Sequence, residues 1–354
     1  MSWQGVLGHD AIVERFRTAV ARGRLASTYL FIGPEGVGKR TFALKLAQAL
    51  LCEGRPAGAL DPCLACRGCR LTAAQTHPDL LLVRKPAERS FIPLEAFVGR
   101  AHERMQTGLC HDLSLKPFLS QRKVAIIDDA DYLNEEGANA LLKTLEEPPP
   151  RSVLILIGSQ LQRQLPTIRS RAQLIRFSPL PVETVERILL AEGLITDPQP
   201  AREAALRSSG SVTQACELAD EALAAYRHTL LHALAQPAWD SVGLARNTAQ
   251  FIEQAGKDQP PRRARARQLV NAALAFYSTL LRAQAQAPSA APPEILAAAQ
   301  AALRGGQTDV QATLERLESC LQALEHIDRN VIQANWLEVW FDSLARAQCA
   351  LGPW

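Results

Sequence analysis

Leu30 to Thr41 reads Leu-Phe-Ile-Gly-Pro-Glu-Gly-Val-Gly-Lys-Arg-Thr: a short apolar run, a glycine-rich turn and the start of a helical pattern that continues from Phe42 to Leu51. Glycines at Gly33, Gly36 and Gly38 let consecutive backbone N–H groups turn inward around a phosphate. The helix N-terminus adds partial positive charge, and Lys39 can reach the β and γ phosphates. In a strand-to-helix context the motif points to a nucleotide site.

Three more apolar runs are too short for buried helices and carry the branched residues of interior strands: Leu80–Val83, Lys123–Ile127 and Val153–Ile157. With Tyr29–Ile32 they predict a parallel sheet. Asn134 is placed to cap a helix with Glu135 and Glu136 in its first turn and Ala138, Leu141, Leu142 and Leu145 on one face; Pro148-Pro149-Pro150 then stops it. The fold class is therefore α/β, with a P-loop core.

The motif departs from its full form at one position. A hydrolytic P-loop places Ser or Thr after the lysine to hold magnesium, whereas this chain has Arg40 there, with the threonine one residue later. A helix turns about 100° per residue, so Thr41 does not simply substitute. Asp128 and Asp129 end a strand as the acidic partners of the loop. Asp128 suits the magnesium-facing position. Asp129 stands where glutamate would orient the attacking water, and its shorter side chain reaches that water poorly.

Cys52, Cys63, Cys66 and Cys69 form C-x10-C-x2-C-x2-C. Four thiolates in this spacing can close a tetrahedral, structural Zn2+ site; an iron–sulfur cluster uses similar runs, but nothing else in the chain suggests electron transfer. His77 is an alternative ligand, although His77-Pro78-Asp79 reads more simply as a turn into the next strand. Cys110, Cys216, Cys320 and Cys349 read as packing residues.

With 354 residues and 47% hydrophobic content the chain has material for two or three cored domains, which excludes general disorder. The net charge of +3 is too small to imply a nucleic-acid-coating surface, so any such contact is local or made through partners. No basic-then-apolar leader opens the chain and no apolar run approaches the roughly 20 residues of a bilayer span, so a cytoplasmic protein without a membrane partner is expected.

Ser178-Pro179-Leu180-Pro181 marks a boundary, followed by a small helical unit. The expected division is a nucleotide-binding core at 1–178 with a zinc module at 52–69, a helical domain at 179–224 and an all-helical domain at 225–354. In the last, Leu314, Leu317, Leu321 and Leu324 have helical spacing. Arg262, Arg263, Arg265 and Arg267 fit a solvated face, an intersubunit contact or a DNA contact. Trp336 and Trp340, one turn apart, fit either a core or an interface.

Taken together, the string from Tyr29 to Lys39, the four-cysteine insertion, His77-Pro78-Asp79-Leu80 and Asn139-Ala-Leu-Leu-Lys-Thr-Leu-Glu-Glu-Pro-Pro149 resemble the bacterial clamp-loader family of AAA+ proteins, and within it the delta-prime type of the DNA polymerase III assembly. The likeness is strong to about residue 178 and weaker through the helical unit; beyond 225 it rests on length and helical character. It implies an AAA+ core with a zinc insertion, a small helical lid and a C-terminal helical collar. Through that collar five subunits would join in an open hetero-pentamer: this chain, gamma/tau-type motor subunits and a delta subunit. The assembly would load a sliding clamp onto primed DNA.

The resemblance also assigns residues. Ser170-Arg171-Ala172 stands where the family has Ser-Arg-Cys, so Arg171 would be an arginine finger acting in trans on the neighbouring motor's ATP, with Arg169 the rival donor. Such a finger is worth roughly 10³–10⁵ in rate in related hydrolases. Ser159 falls at the polar sensor of the γ-phosphate. Gly210-Ser211-Val212-Thr213 replaces the motors' Gly-Ser-Leu-Arg, so Thr213 cannot supply the sensor cation.

Departures at Arg40, Asp129 and Thr213 imply a stator that binds ATP or ADP at Gly33, Gly36, Gly38, Lys39, Thr41, Asp128, Asp129 and Ser159 with little or no hydrolysis, and they put Mg2+ at this site in question. Two other readings stand beside it. One is an active motor ATPase of the same assembly, favoured by the P-loop; the other is a freestanding zinc-containing nucleic-acid-binding protein, which explains the cysteines alone.

Overall fold

The computed structural model describes residues 3–349 apart from 57–58, 87–88, 90, 105, 257–258, 290 and 329–332. The chain divides into two compact units, one comprising Met1–Pro86 and Phe91–Ala219, the other comprising Ala87–Ser90 and Asp220–Trp354.

The first unit is built on a parallel sheet. Its strands, β1 (Thr28–Ile32), β2 (Leu80–Val83), β3 (Lys123–Ile127), β4 (Ser152–Gly158) and β5 (Gln173–Arg176), lie in the order β2-β3-β4-β1-β5. Four of them match the apolar runs of the sequence. The fifth was not expected: it is an edge strand with only Ile175 buried, and its flanking Gln173 and Arg176 hide it from a search for apolar runs. It pairs β1 in register, Leu174 opposite Leu30.

Helices α1 (Asp10–Ala21), α2 (Lys39–Leu50), α3 (Arg67–Ala73), α4 (Glu95–Val98), α5 (Leu109–Ser114), α6 (Glu135–Glu146) and α7 (Pro166–Arg169) accompany the sheet. Alternate residues of each central strand face opposite sides, as a two-sided sheet requires. Tyr29, Phe31, Val124, Ile126, Val153 and Ile155 share one core with Phe16 of α1 and Phe42 and Leu46 of α2. Leu30, Ala125, Ile127, Leu154 and Leu156 share the other with Leu109 of α5 and Leu141 and Leu145 of α6. Asn134 caps α6 as its sequence predicts, accepting from the Gly137 N–H at 2.9 Å.

Helices α8 (Val182–Ala191), α9 (Pro198–Arg207) and α10 (Val212–Ala219) also belong to the first unit, and Val185, Leu189, Ala201 and Ala215 join the α1/α2 core.

The second unit is helical among the described residues: α11 (Glu221–Ala235), α12 (Ser241–Glu253), α13 (Gln259–Gln284), α14 (Pro293–Arg304), α15 (Val310–Asp328) and α16 (Gln333–Cys349). Trp336 and Trp340 are buried in its core, with ring centroids 6.1 Å apart. The leucine spacing of α15 does not mark its buried face: Leu314 and Leu321 are exposed, while Thr313, Arg316, Cys320, Ala323 and Ile327 are buried. Arg316 tolerates burial because it donates to the Leu344 carbonyl at 3.2 Å and to Gln307 Oε1 at 3.1 Å and lies over the Tyr277 ring.

Within the basic run, Arg265 is ion-paired with Asp220 at 2.7 Å and Arg262 donates to the Gly256 carbonyl. Cys110 and Cys320 are buried and Cys216 half-buried, as packing residues; the side chain of Cys349 lies outside the described residues. No helix among the described residues is long and apolar enough to cross a membrane.

Candidate functional site

The turn between β1 and α2 opens onto a cavity of about 940 Å³ whose lining includes Gly36, Gly38, Lys39, Arg40, Thr41, Asp128, Asp129, Ser159 and Thr213. The fold thus brings together residues that the sequence spreads over more than 170 positions. Gly33 is not part of the lining; its carbonyl, with that of Pro34, accepts from Lys39 Nζ, each at 2.6 Å. Burial lowers the Lys39 ammonium from its ordinary value, opposed by the nearby Glu35, Asp131 and Asp128 charges. Gly38 caps α2 at φ +93°, in the left-handed region that favours glycine, and the first-turn N–H groups of α2 have no intrahelical partner. Gly36 is required for a second reason: a Cβ there would collide with Ser211 Oγ at the start of α10, where the Val212 N–H donates to the Gly36 carbonyl.

His9, not singled out in the sequence, also lines the cavity. Its Nε2–H donates to the Val37 carbonyl at 2.7 Å, and burial lowers its basicity. A lone histidine ahead of a helix gave no signal of a partner 28 residues away.

Three carboxylates meet beyond β3. Asp128 Oδ2 accepts from Arg40 Nη1 at 2.7 Å, and its Oδ1 accepts from the Asp129 N–H at 3.2 Å. Asp131 accepts from the Ser159 N–H and from Gln164 Nε2, each at 2.6 Å. Asp129 has φ +60°, and burial together with the Asp128 charge raises its carboxyl from the usual value. Magnesium takes near-octahedral oxygen ligands. Here the residue after Lys39 contributes nitrogen donors, and the Asp128 carboxylate is bonded to them, so neither of these two positions offers that ion a free oxygen ligand.

Arg171 is not among the cavity's lining residues. Its guanidinium reaches Glu146 Oε1 at 2.7 Å, Ser170 Oγ at 3.1 Å and the Thr167 carbonyl at 3.2 Å, and about a third of the side chain remains exposed. Arg169 is exposed and its side chain has no hydrogen bond or ion pair among the described residues.

The four cysteines converge ahead of and within α3. Their sulfurs lie within 4.8 Å of one another, with Cys52–Cys66 at 4.0 Å and Cys63–Cys69 at 3.9 Å. Tetrahedral Zn–S bonds of about 2.3 Å require S···S edges of about 3.8 Å, so the set fits zinc, and it forms a zinc-binding site. Backbone N–H groups of Cys63, Cys66 and Cys69 donate to Cys52, Cys63 and Cys66 sulfurs, each at 3.3 Å, which favours thiolates. The Cys66 and Ala65 amides hold the Cys63 thiol down at about 6, whereas burial pushes Cys69 up.

His77 is not in the set. Its Nδ1 accepts from the Asp79 N–H at 3.0 Å and its Nε2 lies 3.2 Å from Ser120 Oγ, which donates to the Leu51 carbonyl just before Cys52. The neighbouring Asp79 is fully buried and accepts from the N–H groups of Phe118, Leu119 and Ser120 at 2.6–2.8 Å. The His77-Pro78-Asp79 turn therefore ties the loop before β3 to the zinc module.

Residues 8–181 match the family model described as DNA polymerase III, delta subunit. DNA polymerase III subunit delta′ of Pseudomonas aeruginosa is 38% identical over 189 residues, which cover 53% of this chain and 54% of the relative. The Bacillus subtilis delta′ subunit is 34% identical over 207 residues, 58% of each chain. DNA polymerase III subunit tau of Escherichia coli is 30% identical over 223 residues, 62% of this chain and 32% of the relative. The chain thus spans little more than half the length of the delta′ relatives it matches.

Proposed function

We propose that the chain is a delta/delta′-type subunit of the bacterial DNA polymerase III clamp loader, in the AAA+ clamp-loader family, and that it serves as the assembly's stator. In this reading it holds nucleotide with little or no hydrolysis of its own and offers Arg171 in trans to the ATP of a neighbouring gamma/tau-type motor. Its partners are those motors and a delta subunit in a hetero-pentamer that loads a sliding clamp onto primed DNA. The core (1–178), lid (179–224) and collar (225–354) divide the work into nucleotide holding, closure and assembly.

One observation carries the reading: Arg40 is bonded to Asp128 at 2.7 Å. The hydroxyl that would hold magnesium is replaced by a cation, and that cation occupies the carboxylate which would share the metal. Thr213 and the short Asp129 act in the same direction, and neither change touches Arg171. A guanidinium outside its own cavity has no substrate to serve within this chain, and its exposure leaves it available to a neighbour.

The test is clamp- and DNA-stimulated ATP turnover by the reconstituted assembly, with Arg171→Ala or Arg169→Ala in this subunit alone and all motors wild type. Arg171→Ala is expected to lower turnover by at least about tenfold, as loss of a trans cation does in related hydrolases. Unchanged turnover with Arg171→Ala, together with a loss for Arg169→Ala, would move the role to Arg169; no loss with either would sink it.

A further inference from the structure

In the cavity beside Lys39, two of the three carboxylates that line it beyond β3 are committed to protein donors, and the positive charge is kept. Both oxygens of Asp128 are engaged, by Arg40 and by the Asp129 N–H, and both oxygens of Asp131 are engaged, by Gln164 and Ser159. Arg40 lines the same cavity as Lys39, Gly36 and Gly38, so its fixed charge faces the space that the phosphate-binding turn encloses. A guanidinium carries five N–H donors in a planar fork, suited to phosphate oxygens as well as carboxylates. One points to Asp128 and a second approaches Gln75 Oε1 at 3.5 Å, which leaves others for a ligand. Removing Arg40 would free Asp128; leaving it in place means that a metal would have to displace an ion pair.

We propose that this cavity takes the polyphosphate of a nucleoside di- or triphosphate without a divalent cation, with Arg40, fixed by Asp128, supplying the charge that magnesium supplies in hydrolytic P-loop sites. The proposal rests on the reading of the glycine turn as a nucleotide site. It makes Arg40 the residue that sets the ligand's form, free nucleotide over its magnesium complex, and it accounts for a retained Lys39 beside a lost hydroxyl.

The experiment is titration of the full-length, zinc-loaded chain with fluorescent ADP and ATP analogues, in resin-treated magnesium-free buffer and again with millimolar Mg2+. Free chelator is avoided so that the cysteine site keeps its metal. Wild type is expected to bind in magnesium-free buffer and no more tightly with Mg2+, which ties up most of the free nucleotide, and Lys39→Ala to lose binding in both. Arg40→Ser supplies the missing hydroxyl and releases Asp128, so its binding is expected to become metal-dependent, tighter by about tenfold or more with Mg2+. Arg40→Gln, which keeps a polar side chain but loses the charge and the reach, is expected to weaken metal-free binding without that gain.

Wild-type binding tightened about tenfold by Mg2+ would overturn the proposal. No binding by wild type in either buffer would overturn it too, together with nucleotide holding, while leaving the trans role of Arg171 to stand or fall on the reconstituted assembly.

Discussion

Arg40 Nη1 lies 2.7 Å from Asp128 Oδ2, joining the first turn of α2 to the end of β3 across 88 residues of sequence. That contact turns a one-residue departure in the glycine motif into a chemical statement about the site, because the same two positions would otherwise share a magnesium ion.

The zinc module carries a structural load. Zinc binding supplies folding free energy in small cysteine sites, roughly 10–16 kcal/mol in isolated fingers, and here His77 and Ser120 tie the module to the loop before β3. Elemental analysis is expected to find about one zinc per chain in wild type and none in Cys69→Ser. The melting temperature of the first unit should fall on the order of 5–10 °C in that variant. Full metal content in Cys69→Ser would contradict the ligand assignment.

Asp79 stabilises the fold above the usual carboxylate range. Burial raises its carboxyl, but the Phe118, Ser120 and Leu119 amides and the Lys123 ammonium outweigh that and hold it below its ordinary value. The folded group thus ionises below the unfolded value of about 3.9, so its contribution is fully present above that value and is lost as pH falls through the folded one. Urea unfolding should show Asp79→Ala destabilised by about 3–5 kcal/mol near neutrality, since three buried N–H groups and Lys123 lose their partner. Between about pH 5 and about pH 3 the wild type should lose more stability than this variant; parallel losses would refute the mechanism.

Glu146 orients Arg171. The pair is partly exposed at the surface, so Glu146→Ala should change stability by no more than about 0.5 kcal/mol. It removes the shortest of three bonds on the guanidinium, so under the proposed trans role of Arg171 turnover of the reconstituted assembly is expected to drop about two- to fivefold through misplacement of that side chain. Restoration by Glu146→Gln, which keeps an acceptor, would separate positioning from charge.

Trp336 belongs to the core of the second unit. At 4% exposed, its truncation to alanine is expected to cost about 3–5 kcal/mol, read from denaturant unfolding. A change within about 0.5 kcal/mol would place the ring on a surface instead.

What the sequence made legible was local. The glycine turn, four apolar strands, the Asn134 cap and the cysteine spacing each declare themselves within a few residues, and the structure places them as expected. The edge strand β5 did not, because only one of its residues is buried and its neighbours are polar. The leucines of α15 misled for a related reason: Arg316 is buried by bonds to Leu344 and Gln307 that no hydrophobic period encodes. At the site, Arg40 was visible as a departure, yet its partner was not. The roles of His9, Glu146 and Asp79 were likewise hidden, since each acts on groups 25 to 41 residues away.

The most direct test of the stator reading is ATP hydrolysis by the isolated full-length chain in the presence of Mg2+, beside its Lys39→Ala variant. Turnover indistinguishable from background, and unchanged by Lys39→Ala, is the expected result. Robust turnover that Lys39→Ala abolishes would make this chain a motor and would mean that the bond between Arg40 and Asp128 does not close the site to catalysis.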